Sequence, residues 1–248
     1  MKRMRFVDLG YISLPMLHAT EEAIAITGEP TFMLWIASPP TVNVGYFQSV
    51  EQEVNIKACE ELGLIITRRP SGGGAVLFDE RELYYSIVAK PETGILPKSA
   101  SACFKRAGEG LINALKIFGL EGVFTGVNDV QVFGKKISGN AQTNMHGAKV
   151  QHGTFLVDFD METMLKVLKI PKEKIADKGI KFVEERMITL KKALGRDVSM
   201  EEAKDALLKG FQKALNVEFY EGELSEKEKA LAKKFVKKYE SKEWIFRR

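Results

Sequence analysis

Apolar residues recur at two spacings along this chain, and the two spacings divide it into strands and helices. A period of two predicts half-buried strands, and a period of 3.6 predicts amphipathic helices. Strands are predicted near residue 123 and at residues 5–9, 31–37, 41–45, 65–69, 75–78, 83–89, 130–133, 136–142, 148–151 and 154–158. Helices are predicted at residues 15–27, 54–62 and 100–118, and again from residue 161. Segments 75–78 and 83–89 are expected to pair with each other. The order of elements indicates a mixed α/β chain.

The chain is predicted to be helical from residue 199 onward, within a C-terminal helical part that spans about 184–248. Residues 199–202 and 225–228 each have the Ser-x-x-Glu spacing of a capping box at a helix start. Between them, apolar and small residues predict one buried side, formed by Ala206, Leu207, Gly210, Phe211 and Leu215. We interpret these helices as scaffold.

Length and composition favour a globular protein built as one catalytic domain. The chain has 248 residues, of which 45% are hydrophobic, and this supports a sizeable core. The net charge is +4 and the basic residues are spread along the chain, so nucleic-acid binding is not expected. No apolar run approaches the roughly 20 residues that span a membrane. The basic N-terminus precedes no signal-peptide core, so a cytoplasmic protein is expected.

Cysteine and histidine usage predicts neither a zinc site nor a disulfide. Cys59 and Cys103 are the two cysteines, they form no Cys-x-x-Cys pair, and both are expected to be buried structural thiols. The histidines are His18, His146 and His152, which are too few and too separated to argue for zinc. His18 is expected to lie in the first helix, and we assign it no function.

The glycine-rich stretch at 68–76, Arg-Arg-Pro-Ser-Gly-Gly-Gly-Ala-Val, is the most informative segment. Three consecutive glycines weaken any strand, and a chain tolerates them where the backbone turns sharply or closely approaches a ligand. Free backbone N–H groups beside two arginines suit an anion such as phosphate or carboxylate. A flexible hairpin is the alternative interpretation of the glycines.

A second polar segment carries two adjacent lysines. Asn128 and Asp129 precede the run at 134–142, Gly-Lys-Lys-Ile-Ser-Gly-Asn-Ala-Gln, and His-Gly-Thr follows at 152–154. In a strand, Lys135 and Lys136 face opposite sides, so one can be solvated while the other points into a pocket. The alternative is a polar hairpin with two solvated lysines.

In this order, the two segments resemble the lipoate–protein ligases, the lipoyl-attaching members of the biotinyl/lipoyl ligase superfamily. Weaker matches extend the resemblance to essentially the whole chain, and they are Val44–Gln48 with Glu53–Asn55, Glu21-Glu22, Lys178–Ile180 and Trp244–Phe246. The resemblance implies a three-layer α/β (α+β) fold of the class II synthetase type, with a largely antiparallel sheet and flanking helices. The glycines do not have the G-x-G-x-x-G spacing of a dinucleotide fold.

The resemblance implies a two-step reaction. Lipoate attacks the α-phosphate of ATP, with Mg²⁺, to give lipoyl-AMP, and an acceptor lysine then displaces AMP. Lys136 is the candidate catalytic cation between carboxylate and phosphate. Arg69 is expected to hold phosphate, whereas Arg68 is expected to be structural. Asp129 is the candidate Mg²⁺ ligand.

The other site residues implied by the resemblance bind the nucleotide or the acyl chain. Val44, Gly45 and Ala141 are expected as walls of the acyl pocket, and His152 is expected to line it, with a turn histidine as the alternative. The remaining candidates for substrate or ATP binding are Ser71, Gly72, Gly73, Gly74, Ala75, Val76, Asn128, Gly139, Gly153 and Thr154.

Two departures from the family change what is expected. Phe78-Asp79 stands where the family often has His-Asp, so no histidine role is expected there. The chain stops at Arg248, where many relatives continue into a small accessory domain, and a separate small partner subunit is therefore expected to assist adenylation. The implied acceptors are lipoyl-domain proteins, namely the E2 subunits of 2-oxoacid dehydrogenases and the glycine cleavage H protein.

Two alternatives to a ligase stay open. An octanoyltransferase of the same superfamily passes the acyl group through a cysteine thioester, but neither cysteine lies near the Lys136 segment in the sequence. A non-catalytic lipoyl-binding subunit is the second alternative.

Overall fold

The computed structural model describes residues 1–170 and 179–248, so Lys178 of the Lys178–Ile180 match lies outside the described residues. The strands are β1 (Lys2–Ile12), β2 (Thr31–Ala37), β3 (Thr41–Val44), β4 (Ile65–Arg68), β5 (Val76–Phe78), β6 (Leu83–Ala89), β7 (Val123–Thr125), β8 (Asp129–Val132), β9 (Lys135–Met145), β10 (Ala148–Phe155) and β11 (Val217–Glu221). The helices are α1 (Leu14–Thr27), α2 (Val50–Glu53), α3 (Ile56–Glu61), α4 (Ala100–Ile117), α5 (Met161–Val167), α6 (Gly179–Glu184), α7 (Leu190–Leu194), α8 (Met200–Leu215), α9 (Glu226–Glu240) and α10 (Lys242–Ile245).

A large, mostly antiparallel sheet forms the middle of the molecule, in the order β11-β1-β2-β6-β10-β9-β8-β7. Only the β11–β1 and β1–β2 pairs are parallel among the strands described for it. A smaller sheet has the order β4-β3-β5, with β3 parallel to β4 and antiparallel to β5. The predicted mixed α/β fold with a largely antiparallel sheet is confirmed.

Helices cover both faces of the large sheet because its central strands are apolar on both sides. Every residue of β2 is buried: Phe32, Leu34 and Ile36 face one core, and Met33 and Trp35 face another. On the first face α4 packs against α8, and on the second α1 packs against α9. This arrangement leaves room between α1, the second face and the small sheet.

Three sequence predictions about the elements differ from the structure. Segments β5 and β6 do not pair, because β5 pairs with β3, while β6 lies between β2 and β10. The segment predicted to be helical from residue 199 contains β11, whose Val-Glu-Phe-Tyr-Glu alternation suits a strand beside β1. The two strands predicted at 148–151 and 154–158 form the single strand β10.

The predicted capping boxes are only partly present. At α9 the Ser225 hydroxyl accepts from the backbone of Glu228 while the Glu228 carboxylate accepts from the Ser225 backbone, so the box is complete. At α8 the Ser199 hydroxyl caps the helix, but the Glu202 carboxylate accepts from Arg196 instead. None of the described helices is long and apolar enough to cross a membrane.

Candidate active site

A cavity of about 300 Å³ lies between the second face of the large sheet, the small sheet, α1 and α5. Volumes of this size are typical of small-molecule sites. Its walls combine apolar and polar side chains, namely those of His18, Trp35, Asn43, Arg69, Ala75, Val76, Phe78, Glu82, Asn128, Lys136, Asn140, Ala141, His152, Thr154, Leu156, Phe159, Met164, Leu168 and Met187. Backbone of Gly73, Gly74, Gly139 and Gly153 completes them.

The glycine loop, residues 69–75 between β4 and β5, is held in shape by Arg69, which is 5% exposed. Its Nε donates to the Gly72 carbonyl (3.1 Å), and its Nη2 donates to the carbonyls of Gly72 (2.9 Å) and Gly74 (2.7 Å). Burial lowers the pKa of Arg69 to about 10, so the side chain stays charged near neutral pH. Because Gly73 has φ of 99° and a Cβ there would lie 2.8 Å from Arg69 Nη2, glycine is required at this position.

Arg68 points away from the cavity and ties the small sheet to the C-terminal helix. Its Nη1 donates to the carbonyls of Gly45 (2.8 Å) and Gln48 (2.7 Å). Its Nε donates to the carbonyls of Trp244 (3.1 Å) and Ile245 (2.9 Å). The two neighbouring arginines therefore act on opposite sides of one strand, as the alternation of side chains in a strand requires.

Lys136 and Asp129 form the open end of the cavity. The Lys136 Nζ lies 2.9 Å from Asp129 Oδ1, with the side chains 36% and 32% exposed. Asn128 donates its side-chain amide to the Asn140 carbonyl, which fixes Asn128 beside this ion pair. A Cβ at Gly139 would lie 2.7 Å from Lys136 Nζ, so a side chain there would displace the ammonium. The structure thus places the ammonium group of a long side chain next to a single carboxylate at the entrance.

A hydrogen-bonded network centred on Glu21 closes the other end. The carboxylate of Glu21 accepts from His18 Nδ1 (3.1 Å), His152 Nδ1 (3.0 Å) and Ser86 Oγ (2.7 Å). Burial alone would raise the pKa of Glu21, but the interactions with His152 and His18 outweigh burial and hold it well below its usual range. The network reaches the glycine loop through the 2.7 Å contact of His152 Nε2 with Ser71 Oγ.

A second buried glutamate, Glu82, lines the cavity without such partners. It is 1% exposed, and neither carboxyl oxygen has a hydrogen-bond partner among the described residues. The neighbouring Tyr84 hydroxyl is instead hydrogen bonded to the backbone of Asp79. Burial, followed by the charge of Asp79, raises the pKa of Glu82 well above its usual range. Burial therefore favours the protonated form of Glu82.

Neither cysteine lines the cavity. Cys59 is buried in the core of the small sheet, and burial raises the pKa of its thiol to about 11. Cys103 is buried under the opposite face of the large sheet, where its Sγ donates to the Pro97 carbonyl (3.0 Å). Burial also raises the pKa of the Cys103 thiol. Both thiols are poor nucleophiles in these surroundings.

Most of the residues predicted for the site from sequence meet in this one cavity. Those that line it are Arg69, Gly73, Gly74, Ala75, Val76, Asn128, Lys136, Gly139, Ala141, His152, Gly153 and Thr154. Ser71, Gly72, Val44, Gly45 and Asp129 lie directly behind or beside it, since each contacts or adjoins a lining residue. Lys135 is not part of the lining, as expected for the opposite side of the strand.

Sequence reasoning missed several polar residues of the wall. His18, Asn43, Glu82 and Asn140 line the cavity, but none was proposed for the site. A usable signal existed for two of them. Asn43 interrupts the apolar strand β3, and Glu82 directly precedes the fully buried strand β6. A polar residue in such a segment must find partners or face a ligand.

Comparison with known proteins identifies relatives along the whole chain. The model of the lipoyl protein ligase A/B catalytic domain matches residues 17–212. Octanoyltransferase LipM of Kyrpidia tusciae is 33% identical, with 100% of both chains covered. Lipoate-protein ligase A subunit 1 of Thermoplasma acidophilum is 33% identical, covering 88% of this chain and 85% of the relative. Octanoyltransferases are more numerous than ligases among the most similar curated relatives.

Solved structures show the same fold. A chain of the bi-partite lipoate protein ligase of T. acidophilum, studied with its E2 lipoyl domain, superposes with a TM-score of 0.89 at 32% identity, covering 99% of this chain and 97% of that one. Lipoate-protein ligase A bound with ATP gives a TM-score of 0.84 at 29% identity, covering 99% of each chain. The protein belongs to the lipoyl protein ligase A/B catalytic domain family.

Proposed function

We propose that this chain is an ATP-dependent lipoate–protein ligase, which activates lipoate as lipoyl-AMP and transfers the lipoyl group to a lysine of an acceptor protein. One observation favours a ligase over a cysteine-dependent acyltransferase of the same family. The cavity presents a lysine ammonium at its entrance, and neither of the two cysteines of the chain reaches it. An acyl group held in this cavity therefore meets a cation suited to phosphate rather than a thiol suited to a thioester.

The first step joins lipoate to the α-phosphorus of ATP. A carboxylate oxygen of lipoate forms the new P–O bond, and the bond to pyrophosphate breaks. Negative charge grows on the phosphoryl oxygens, and Lys136 at the cavity entrance can neutralise it once it leaves Asp129. Asp129 is then available as an oxygen ligand for the Mg²⁺ that accompanies ATP, since one carboxylate plus phosphates suffices for this ion.

The glycine loop supplies N–H groups for the nucleotide in the same step. Arg69 occupies the loop carbonyls, so the loop amides are the donors left to face the cavity. Binding of phosphate by Arg69 itself stays a prediction, because its guanidinium already donates to the carbonyls of Asn43, Gly72 and Gly74. In this proposal Arg69 stabilises the loop that contacts the nucleotide.

The second step transfers the acyl group to an acceptor lysine. The amine of that lysine attacks the acyl carbon, the C–O bond to phosphate breaks, and AMP leaves. The Thermoplasma neighbour is bi-partite and is studied with an E2 lipoyl domain. By analogy we propose lipoyl-domain acceptors, such as dehydrogenase E2 and glycine cleavage H proteins, and a separate small subunit for this chain.

ATP-independent octanoyl transfer is the second candidate, and the names of the curated relatives favour it. Such a transferase takes the acyl group from an activated thioester and needs a nucleophile or a direct attack by the acceptor lysine. Since no cysteine lines the described cavity, a thioester intermediate on this chain has no residue to form on.

A two-substrate assay separates the candidates. One arm supplies lipoate, ATP and Mg²⁺ and measures pyrophosphate release, followed by label transfer to a lipoyl domain. The other arm supplies an octanoyl thioester of a carrier protein without ATP. Activity in the first arm alone supports the ligase, and activity in the second arm alone overturns it in favour of the transferase. Pretreatment with a thiol-alkylating reagent should leave ligase activity unchanged.

Replacing Lys136 tests its assigned role. For Lys136→Ala we expect lipoyl-AMP formation to fall by about 10²–10³-fold, because one preorganised charge contact is lost from the transition state. The melting temperature should stay close to wild type, since the side chain is 36% exposed. Lys135→Ala is the matched control on the other side of the strand and should retain activity. Near-wild-type adenylation by Lys136→Ala would remove the residue from the mechanism.

A further inference from the structure

The cavity has an open end and a closed end, and the closed end is polar. Lys136 and Asp129 at the entrance are each about one-third exposed, whereas His18 and Asn43 are 2% and 1% exposed. Both of these buried side chains line the cavity. An acyl acid whose carboxylate reacts beside Lys136 extends its tail away from the entrance, toward the closed end.

The network around Glu21 fixes the tautomer of His18. Glu21 is ionised and carries no proton, so His18 must donate its Nδ1–H across the 3.1 Å contact. Burial lowers the pKa of His18, so the ring is neutral and its Nε2 carries a lone pair. His18 Nε2 is therefore a hydrogen-bond acceptor.

The tautomer of His18 in turn orients Asn43. An acceptor at His18 Nε2 requires a donor opposite, and the Asn43 amide nitrogen lies 3.4 Å away. The amide nitrogen must face His18, which leaves the amide oxygen on the other side. Asn43 Oδ1 is buried and accepts no hydrogen bond from the described residues. The backbone carbonyl of Asn43 is held by Arg69 (3.0 Å), so the strand cannot easily move this oxygen to water.

We infer that Asn43 Oδ1 is a specificity determinant: it makes the closed end select an acyl chain whose far end carries a thiol over a plain alkyl chain. The inference rests on the proposed function, since it assumes that an acyl acid occupies the cavity. A terminal methyl group leaves the buried oxygen unpaired, and an unpaired buried acceptor is unfavourable. The thiols of a reduced lipoyl group can donate to it, whereas the sulfurs of the oxidised ring have no hydrogen to donate.

Binding of the free acids tests the inference without requiring catalysis. Calorimetric titration of the full chain with dihydrolipoate, lipoate and octanoate, in the absence of ATP, should give the highest affinity for dihydrolipoate. We expect at least a tenfold difference between dihydrolipoate and octanoate, which corresponds to about 1.4 kcal/mol. Asn43→Leu, which replaces the amide by an apolar group of similar size, should reduce this ratio to about one, mainly by tightening octanoate.

The control is Asn144→Leu, a substitution of an exposed asparagine in β9, and it should keep the wild-type ratio. Equal affinities in the wild-type chain, or an unchanged ratio in Asn43→Leu, overturn the role of Asn43 while leaving the proposed function in place. Binding of none of the acids overturns both. Because Asn43→Leu also removes the donor to His18 Nε2, urea unfolding of this variant checks that it is folded under the titration conditions.

Discussion

The regions around Glu21 and Glu82 hold the same chemical group beside the same cavity, and they shift its pKa in opposite directions. Glu21 is fully buried and accepts three hydrogen bonds, from two histidines and a serine. Glu82 is almost as deeply buried, at 1% exposure, and neither oxygen has a partner in the described part of the chain. The number of donors around the group, more than its depth, therefore decides the direction in which its pKa is shifted.

The difference assigns separate tasks to the two ends of the wall. The charged Glu21 orients His18 and His152 and, through Ser71, the glycine loop. Burial favours the protonated form of Glu82, and that form can offer an O–H donor and an acceptor to whatever fills its part of the cavity. One site thus combines Glu21, whose hydrogen bonds hold it in place, with Glu82, whose carboxyl group has no partner among the described residues.

The largest expected effect on stability comes from removing the charge of Glu21. In Glu21→Gln the amide nitrogen faces a histidine N–H, so at least one buried donor loses its acceptor. We expect a loss of about 3 kcal/mol in the free energy of unfolding and weaker binding of acyl acids. Urea unfolding of both proteins gives the first quantity and calorimetry the second. Wild-type stability for this variant would show that Glu21 does not organise the region.

A third buried glutamate extends the comparison to pH. Glu228 accepts from both Nη atoms of Arg5 (2.9 and 2.7 Å) and from the backbone of Ser225 (2.7 Å). Burial would raise its pKa, but the Arg5 and Ser225 hydrogen bonds, together with one from Thr27, lower the pKa to about 2. Because the folded-state pKa is depressed, the unfolded chain binds more protons, and stability is lost as the pH falls from about 5 to 2.

We expect this single group to account for about 2–3 kcal/mol of the acid destabilisation. In Glu228→Gln that part of the pH dependence should disappear, although the variant should be less stable at neutral pH because Arg5 loses its charged partner. Urea unfolding at several values between pH 2.5 and 7 measures both effects. A parallel pH curve for variant and wild type would contradict the assignment.

The smallest effect is expected for replacement of Glu82, whose carboxyl oxygens have no hydrogen-bond partner among the described residues. Glu82→Gln keeps the shape of the side chain and breaks no hydrogen bond to the described residues, so the free energy of unfolding should change by less than about 1 kcal/mol. Urea unfolding beside Glu21→Gln makes the comparison direct, because the chemical change is identical. If the two variants lose equal stability, Glu82 is ionised in the folded protein and the contrast between the regions fails.

The meeting of several polar residues at the entrance was predictable from sequence because they stand in contiguous motifs, whereas the roles assigned to them stay predictions. Short polar runs around Lys136, Asn128 and the glycine loop indicated a binding site. The alternation of side chains along the strand correctly separates Lys136, which lines the cavity, from Lys135, which does not. The antiparallel fold followed from the resemblance carried by the same runs. The sequence around Arg69 does not show that its guanidinium donates to loop carbonyls, so it suggested a phosphate contact and not the contacts with Gly72 and Gly74.

The closed end was not predictable because its residues are far apart in the chain. His18, Asn43 and Glu82 come from a helix, the small sheet and the start of a strand in the large sheet. Each looks like an isolated polar residue in an apolar segment until packing brings them to one cavity. The pairing of β5 with β6 failed for a related reason: nearness in sequence suggested a hairpin, whereas β3 provided the partner.

The hold of Arg68 on α10 makes the C-terminal residues part of the support of the glycine loop. Trp244 returns the contact by donating its Nε1 to the Arg68 carbonyl (2.8 Å), one residue before Arg69. Segments near a terminus usually tolerate trimming and fusion. Here a displacement of α10 would move Arg68 and, through it, the neighbouring Arg69 that shapes the loop. A tag, a truncation or a bound partner at this position would therefore affect the shape of the glycine loop, more than 170 residues away along the chain.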